Sequence, residues 1–432
     1  MSKKRDRLEK KREGRMDRRS FVSGSLGAAF YAALLGDAKA AGTSRAPKLR
    51  IREVRAIRLR GGFNPRFVRI YTEEGLTGTG EFVDTMGAEY IINNNFNVML
   101  KGRDPLEIQG ITADFNGYRR MNLGGPPSAV FIKGNGGPYL TAVSGVEMAL
   151  WDLAGKALGL PIHQLLGGKI RDRVPVYMHA ASPKIGRDLM DRLKLRALKV
   201  GLDYSNDDWS IDKGFEKRKR FGLHLTNNQV DDTVNFFAGF RKELGLDTEL
   251  GLELHAHYDL EGGLKICQQV EQYRPLFVEE PTTSDNVESM VRIRNNSRVP
   301  LAAGENIYTR AGFRPFLEKQ ALSIIQPDFC KTGGLMEGLK IAAMAETYNV
   351  AVAPHGVCTP LGTMGMNHVC AVIPNFLIQE FTHYENKLFT ELVEPVKLES
   401  DGYLAVPNAP GIGVELNEAA VKERLEPEFK ML

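Results

Sequence analysis

The 432-residue sequence lacks the features of a disulfide scaffold, a membrane protein or a polyanion binder. Its four cysteines follow neither a CxxC pattern nor a zinc-ligand spacing, and we expect buried small side chains at Cys267, Cys330, Cys358 and Cys370. No apolar run reaches the roughly 18 to 20 residues that span a bilayer. Residues 1–40 hold eleven of the 57 basic and five of the 53 acidic residues, which leaves a nearly neutral body. That balance argues against a nucleic acid partner.

The first 40 residues have the pattern of an export signal. Arg18-Arg19 is followed by Ser20-Phe21-Val22, then by a mildly apolar run over 23–35, and then by Ala38-Lys39-Ala40. This order is typical of a twin-arginine signal that is cleaved after Ala40. It predicts a periplasmic protein that uses the twin-arginine export machinery and has no membrane span in its mature form. The alternative is an arginine pair that happens to precede a core helix.

Two different patterns of secondary structure follow the signal. Residues 46–168 alternate like antiparallel strands and then show helical spacing, which predicts a small α+β capping domain. Residues 169–390 contain eight short apolar strands that alternate with helices, which predicts a closed parallel barrel. We place its second strand near 202–208. A doubly wound open sheet is the alternative, but no G-x-G-x-x-G motif follows a first strand.

Acidic or imidazole residues stand at the carboxyl ends of six predicted strands. They recur every 23 to 27 residues, about one βα unit, and are Glu253, Glu279, Glu305, Asp328, His355 and Glu380. A barrel brings the carboxyl ends of its strands to one rim, where barrel active sites are built. Such groups would repel one another unless a cation lay among them. The all-oxygen set Glu253, Glu279 and Glu305 favours Mg²⁺ over zinc or copper, with Glu280 as a competing ligand.

Five motifs carry a resemblance to a known family. They are SGVEMALWDL at 144–153, QLLGG at 164–168, Glu279-Glu280-Pro281, Gln326-Pro327-Asp328 and Ala353-Pro354-His355. From about residue 49 to the C terminus, the chain resembles the mandelate racemase and muconate lactonizing enzyme family of the enolase superfamily, closest to its sugar-acid dehydratases of the galactonate type. The resemblance implies a (β/α)7β TIM-like barrel and an N-terminal α+β capping domain, which the C-terminal segment 391–432 completes.

The resemblance also implies a set of roles. In the family, a metal held by three carboxylates binds a substrate carboxylate, and a base removes the proton from the adjacent carbon. By analogy, His355 is the base and Asp328 orients it. His255 would protonate the departing hydroxide, since the period of a strand points it to the same face as Glu253. His257 is the alternative acid. Glu380 would hydrogen-bond the substrate carboxylate if it is protonated or bridged.

Two positions depart from the family pattern. Glu253 stands where the family usually has the shorter aspartate, which affects the expected affinity for metal. The predicted second strand, 202–208, lacks the lysine pair of the racemases. An alternative register would use Lys199, but Ala197 then occupies the partner position. Loss of the second, opposed base favours dehydration over racemisation.

The sequence therefore predicts an exported, Mg²⁺-dependent lyase that converts a sugar acid, a small carboxylate substrate, to a 2-keto-3-deoxy acid. A racemase or epimerase of hydroxy acids and a catalytically silent binding or sensing protein are the alternatives. We expect the loops at 61–66 and 83–86 to set specificity, with Asn64, Arg66 and Asp84 facing polyol hydroxyls. By analogy with the family, we also expect a homo-oligomer.

Overall fold

The computed structural model describes residues 47–61, 64–83, 85–115, 136–201, 225–382, 387–393, 396 and 398–432. The predicted export signal, the predicted second strand at 202–208 and Asp84 lie outside the described residues. Within them, no helix combines the length and the apolar character that crossing a membrane requires.

The capping domain begins with a three-stranded antiparallel sheet. Its strands pair in chain order and are β1 (Ile51–Arg58), β2 (Arg66–Thr72) and β3 (Thr77–Phe82). β2 turns into β3 at Gly75, whose φ of +90° is a backbone conformation that favours glycine. The apolar side chains Ile57, Phe67 and Phe82 are fully buried, so this sheet packs one face against the core.

Helices then cover the sheet. They are α1 (Ala88–Ile91), α2 (Asn97–Leu100), α3 (Ile108–Phe115) and the long α4 (Gly137–Leu158), with a π-helical turn at Ile92–Phe96. Gly78 and Gly80 of β3 let α4 approach the sheet closely, because a Cβ atom on either would lie 2.2 Å from a backbone oxygen of α4. Helix α4 is buried on all sides from Leu140 to Gly155, as expected for a helix between two layers.

Parallel strands form the barrel. In the described residues they are β4 (Arg173–His179), β5 (Ala197–Gly201), β6 (Glu249–Glu253), β7 (Phe277–Glu279), β8 (Leu301–Ala303), β9 (Ile324–Ile325), β10 (Ala351–Val352) and β11 (Gln379–Glu380). They hydrogen-bond in chain order, β11 pairs with β4, and a bridge joins Val352 to Phe376, so the ring closes. The predicted parallel barrel is confirmed. Its second strand was placed wrongly, because the strand between β4 and β6 is Ala197–Gly201.

One helix precedes β4, and seven more connect the strands of the barrel within the described residues. They are α5 (Ile162–Leu165), α6 (Pro183–Leu193), α7 (Asn227–Leu244), α8 (Leu260–Val270), α9 (Val287–Asn296), α10 (Thr309–Glu318), α11 (Leu335–Glu346) and α12 (Pro360–Val372). Side-chain oxygens of Ser182, Thr226 and Asp259 accept hydrogen bonds from the first turns of α6, α7 and α8. The interior is filled by apolar side chains from several strands, including Tyr177 and Phe277. The four cysteines are buried, as predicted, and none of them forms a disulfide.

The C-terminal segment returns to the capping domain. It contains α13 (Lys387–Leu392), β12 (Tyr403–Ala405) and α14 (Glu418–Arg424). β12 pairs antiparallel with β4, and Leu425 then forms a bridge with Leu59 beside β1. The backbone N–H of Glu426 also donates to the carbonyl of Arg58, at 3.1 Å. The predicted completion of the cap by the tail is therefore confirmed.

Two buried glutamates fasten the cap to the barrel. Glu81 of β3 accepts hydrogen bonds from the backbone N–H of Thr359 (2.7 Å) and of Gly362 (2.8 Å) at the start of α12. Glu147 of α4 accepts from the N–H groups of Leu335 and Met336 at the start of α11, at 2.7 and 3.0 Å. Carboxylates at helix N-termini are favourable. These contacts hold the cap beside the loops that follow β9 and β10.

Candidate active site

The strand ends bring the six predicted side chains to one rim of the barrel. Glu253, Glu279 and Glu380 are the last residues of β6, β7 and β11, whereas Glu305, Asp328 and His355 follow β8, β9 and β10 by two or three residues. All are buried except Glu305, whose side chain is 17% exposed. The common rim thus has the arrangement that the spacing predicted, while the roles of the individual residues remain predictions.

Asp328 and His355 form a hydrogen-bonded pair. Nδ1 of His355 lies 2.8 Å from Oδ2 of Asp328, and its Nε2 lies 3.0 Å from Oε2 of Glu305. The other oxygen of Asp328 accepts from the N–H of Cys330, at 2.8 Å, which fixes the carboxylate. Burial by itself would lower the pKa of His355, but the charge of Glu305 and then of Glu380 raises it well above its usual value. Neutralisation of Glu305 by a cation would therefore favour the basic form of this imidazole.

Lys199 of β5 lies among the carboxylates. Its Nζ is 2.9 Å from Glu253, 3.0 Å from Glu279 and 2.9 Å from Glu380, and its side chain is 1% exposed. Burial would lower the pKa of Lys199, but the carboxylates raise it well above its usual value. Lys199 is therefore a fixed cation.

The prediction of a second strand without lysine is therefore wrong. The error arose because the strand was placed a few residues too late in the sequence. The structure has the alternative register, in which Lys199 lies on the strand. The preference for dehydration keeps its basis, because Ala197 still occupies the partner position and the lysine pair of the racemases is incomplete.

The three predicted metal ligands present carboxylate oxygens, which are suited to a hard divalent cation. Burial raises the pKa of both Glu253 and Glu279, and neighbouring carboxylates add to the effect although Lys199 opposes it. This surplus of buried negative charge, presented by oxygen atoms alone, fits Mg²⁺. Glu253, Glu279 and Glu305 are the residues that would hold it.

In this structure, the carboxylates of the predicted metal ligands are hydrogen-bonded to neighbouring side chains of the protein, and these contacts determine the distances between their oxygens. Across the described ranges, no three acidic or imidazole side chains surround one point as metal ligands do. Lys199 lies between Glu253 and Glu279, and Glu305 bonds His355. The competing ligand Glu280 accepts hydrogen bonds from Ser284 and Asn306. Binding of Mg²⁺ therefore requires these side chains to exchange partners.

His255 reaches the rim by a different route from the one predicted. Its φ of 49° ends the strand geometry at Glu253, so the argument from a period of two is wrong there. A hydrogen bond from its backbone N–H to Oε1 of Glu253, at 2.8 Å, holds the turn, and its ring centroid lies 5.9 Å from that of His257. Burial, with repulsion from Lys199, lowers the pKa of His255 to about 3. The ring is neutral, so its role as an acid requires that it first gain a proton.

Arg66 of the predicted specificity loop at 61–66 is held by residues of the cap. Arg66 is the first residue of β2, it is buried, and its Nε lies 2.8 Å from Oε1 of Glu89. Its Nη1 donates to the carbonyl of Asn64, at 3.2 Å. The prediction that Arg66 faces polyol hydroxyls is therefore wrong, because a cap residue distant in sequence holds the guanidinium. Asn64 is exposed.

Sequence reasoning missed His179, the last residue of β4. Its Nε2 lies 2.7 Å from Oε1 of Glu380. Burial would raise the pKa of Glu380, but Lys199, His355 and His179 together lower it well below its usual value. Glu380 is thus ionised and bridged. The signal for His179 was available, since the rule that selects residues at strand ends also applies to the first strand.

Two family descriptions match the chain. The first, "Mandelate racemase / muconate lactonizing enzyme, N-terminal domain", matches residues 63–167, and the second, "Enolase C-terminal domain-like", matches residues 195–420. The first match covers most of the cap and the second covers the barrel from just before β5 to α14.

Curated relatives share about a third of their residues with the chain. It is 32% identical to a D-xylonate dehydratase of Haloferax volcanii, with 87% of this chain and 89% of the relative covered. It is 34% identical to a D-galactonate dehydratase of Ralstonia pickettii, with 83% and 90% covered. These alignments span nearly the whole length of each relative.

Solved structures give the same result for the fold. An enolase-superfamily member from Salmonella Typhimurium superposes with a TM-score of 0.75 at 29% identity, over 87% of this chain and 98% of that one. The 3,6-anhydro-D-galactonate cycloisomerase of Zobellia galactanivorans superposes with a TM-score of 0.74 at 25% identity, over 87% and 99%.

Proposed function

The chain belongs to the mandelate racemase and muconate lactonizing enzyme family, and from this premise we propose that it dehydrates a sugar acid to a 2-keto-3-deoxy acid. The observation that carries the proposal is the His355–Asp328 pair, which lies on the same rim as Glu253, Glu279 and Glu305. The named activities of the D-galactonate and D-xylonate dehydratases support this substrate class.

The cofactor is Mg²⁺, on which this family depends. When bound by Glu253, Glu279 and Glu305, Mg²⁺ supplies positive charge at the substrate carboxylate and so acidifies the neighbouring C–H bond. The proton transfers of the reaction are carried out by side chains of the rim.

His355 takes the α-proton on Nε2, because its Nδ1 is already hydrogen-bonded to Asp328. Asp328 fixes the ring and stabilises the imidazolium that forms. His255 first takes a proton from solvent and then gives it to the hydroxide that leaves the neighbouring carbon, so that water departs and an enol remains. The enol takes up a proton at that carbon and becomes the keto acid. Lys199 contributes positive charge near the same carboxylates.

Formation of keto acid tests the proposal. Purified protein with Mg²⁺ is incubated with a panel of sugar acids that includes D-galactonate and D-xylonate, and 2-keto-3-deoxy acid is measured. We expect product from at least one acid and none from His355→Asn on the same substrate. Absence of keto acid with every member of the panel would refute a sugar-acid dehydratase.

We also propose that residues 1–40 direct the protein through the twin-arginine route to the periplasm, with cleavage after Ala40. The support is the order of Arg18-Arg19, the apolar run over 23–35 and Ala38-Lys39-Ala40. A homo-oligomer is part of the same proposal, by analogy with the family. Light scattering of the mature protein distinguishes an oligomer from a monomer.

A further inference from the structure

His179 is the partner of Glu380 that reaches the mouth of the barrel. It closes β4 at the rim and pairs in register with Lys199 of β5, while Tyr177, two residues earlier, pairs with Glu380 of β11. The side chain of His179 is 29% exposed, whereas the side chains of Glu380 and Lys199 are 0% and 1% exposed. A molecule that enters the mouth therefore meets the imidazole before the carboxylate.

Both oxygens of Glu380 are already engaged by donors from the protein. Oε1 lies 2.7 Å from Nε2 of His179 and 2.9 Å from Nζ of Lys199. Oε2 accepts from the N–H of Gly356, at 2.8 Å, and lies 3.9 Å from Nε2 of His355. An ionised carboxylate that is covered in this way offers neither a proton nor a free oxygen to an anionic substrate.

The imidazole of His179 has one nitrogen left for a ligand. Nε2 lies 2.7 Å from Oε1 of Glu380, and the tautomer that donates there leaves a lone pair on Nδ1, which can accept a hydrogen bond. An acceptor is suited to a hydroxyl group and unsuited to a carboxylate. Among the described residues, no protein donor to this Nδ1 is found.

We propose that His179 is a substrate-binding residue, whose Nδ1 accepts a hydrogen bond from a hydroxyl of the sugar acid. The inference rests on the proposed function and makes it more specific, since it assigns a contact to the polyol chain. Glu380 then serves to hold the tautomer and orientation of His179.

Two substitutions at this position separate binding of substrate from support of Glu380. In His179→Gln, the amide nitrogen replaces Nε2, so the bond to Glu380 is kept and the acceptor at Nδ1 is lost. In His179→Asn, the shorter amide lies near the position of Nδ1 and the bond to Glu380 is lost. Circular dichroism and the unfolding midpoint of each variant show that the fold is retained.

The measurement is kcat and KM for a sugar acid that the unmodified enzyme dehydrates. For His179→Gln we expect KM to rise about tenfold with kcat within about twofold, which corresponds to loss of one hydrogen bond made equally in ground and transition states. A KM and kcat like those of the unmodified enzyme in His179→Gln, with a loss of kcat in His179→Asn, would show that His179 only supports Glu380 and would overturn the inference.

A panel of monodeoxy sugar acids tests the hydroxyl itself. With the unmodified enzyme, we expect one deoxy acid to show the same tenfold rise in KM. That acid should lose nothing further with His179→Gln, because the two changes remove the same contact. Additive losses for every deoxy acid would contradict the assignment. An unmodified enzyme that dehydrates no sugar acid would instead refute the proposed function, and this inference with it.

Discussion

Replacement of Lys199 by methionine removes the ammonium that touches three buried carboxylates. Methionine is of similar length and fits an apolar site, so the change removes charge with little change in volume. The three ion pairs of Nζ, at 2.9, 3.0 and 2.9 Å, are lost together. Glu253, Glu279 and Glu380 then remain buried without their cation.

We expect Lys199→Met to lower the free energy of unfolding by about 3 to 5 kcal/mol at neutral pH, the usual cost of removing one partner from a buried ion pair. The carboxylates can take up protons, which places the loss toward the lower end of this range. The assay is equilibrium denaturation in urea without Mg²⁺. Millimolar Mg²⁺ should narrow the difference, because a second cation neutralises the same carboxylates.

The matched control is Lys319→Met. Lys319 pairs with Glu288 on the surface, where the side chains are 45% and 63% exposed, and exposed pairs contribute about 0 to 1 kcal/mol. The reasoning would be refuted by a Lys199→Met protein that unfolds at the same urea concentration as the unmodified protein and as the control.

Three further predictions follow from the site, the fold and the signal. Glu279→Gln or Glu305→Gln should abolish Mg²⁺-dependent turnover and preserve the fold; full turnover in either variant would contradict the ligand assignment. The ring nitrogens of His368 bond a backbone N–H and a carbonyl, and burial lowers its pKa to about 4. The neutral form is therefore native, so His368 alone should contribute a loss of about 2 kcal/mol in stability from pH 7 to pH 5, and urea denaturation should show the difference between the unmodified protein and His368→Gln shrinking by that amount over this range. Arg18→Lys with Arg19→Lys should prevent export; undiminished processing, seen by fractionation and immunoblotting, would contradict the signal.

The rim of the site could be predicted because its signal is periodic. In a parallel barrel, one βα unit separates equivalent positions, so Glu253, Glu279 and Glu305 could be aligned without knowledge of any contact. The same periodicity located Asp328 and His355. The periodicity does not show which side chains contact one another. The ion pair between Glu305 and His355 is therefore known only from the structure.

Lys199 and Arg66 show what periodicity leaves undetermined. Lys199 appeared only in the alternative register, because a strand of five residues has uncertain ends and a shift of a few residues moved the lysine off the preferred strand. Arg66 was predicted to contact the substrate, and its ion pair with Glu89 was not foreseen. Glu89 lies 23 residues away on a helix of the cap, so no local pattern joins the two residues. Local patterns give the element to which a residue belongs, whereas packing between elements decides what its side chain contacts.

Exchange of the substrate α-proton is the most direct test of the central claim. The loss of that proton's NMR signal is followed in D₂O with Mg²⁺ present, using a sugar acid that the unmodified enzyme binds. We expect no exchange and no turnover with His355→Asn, because the base is gone. His255→Asn should retain exchange and lose dehydration, since proton abstraction does not need the acid for the leaving group. Exchange that survives in His355→Asn and vanishes in His255→Asn would contradict the account and make His255 the base.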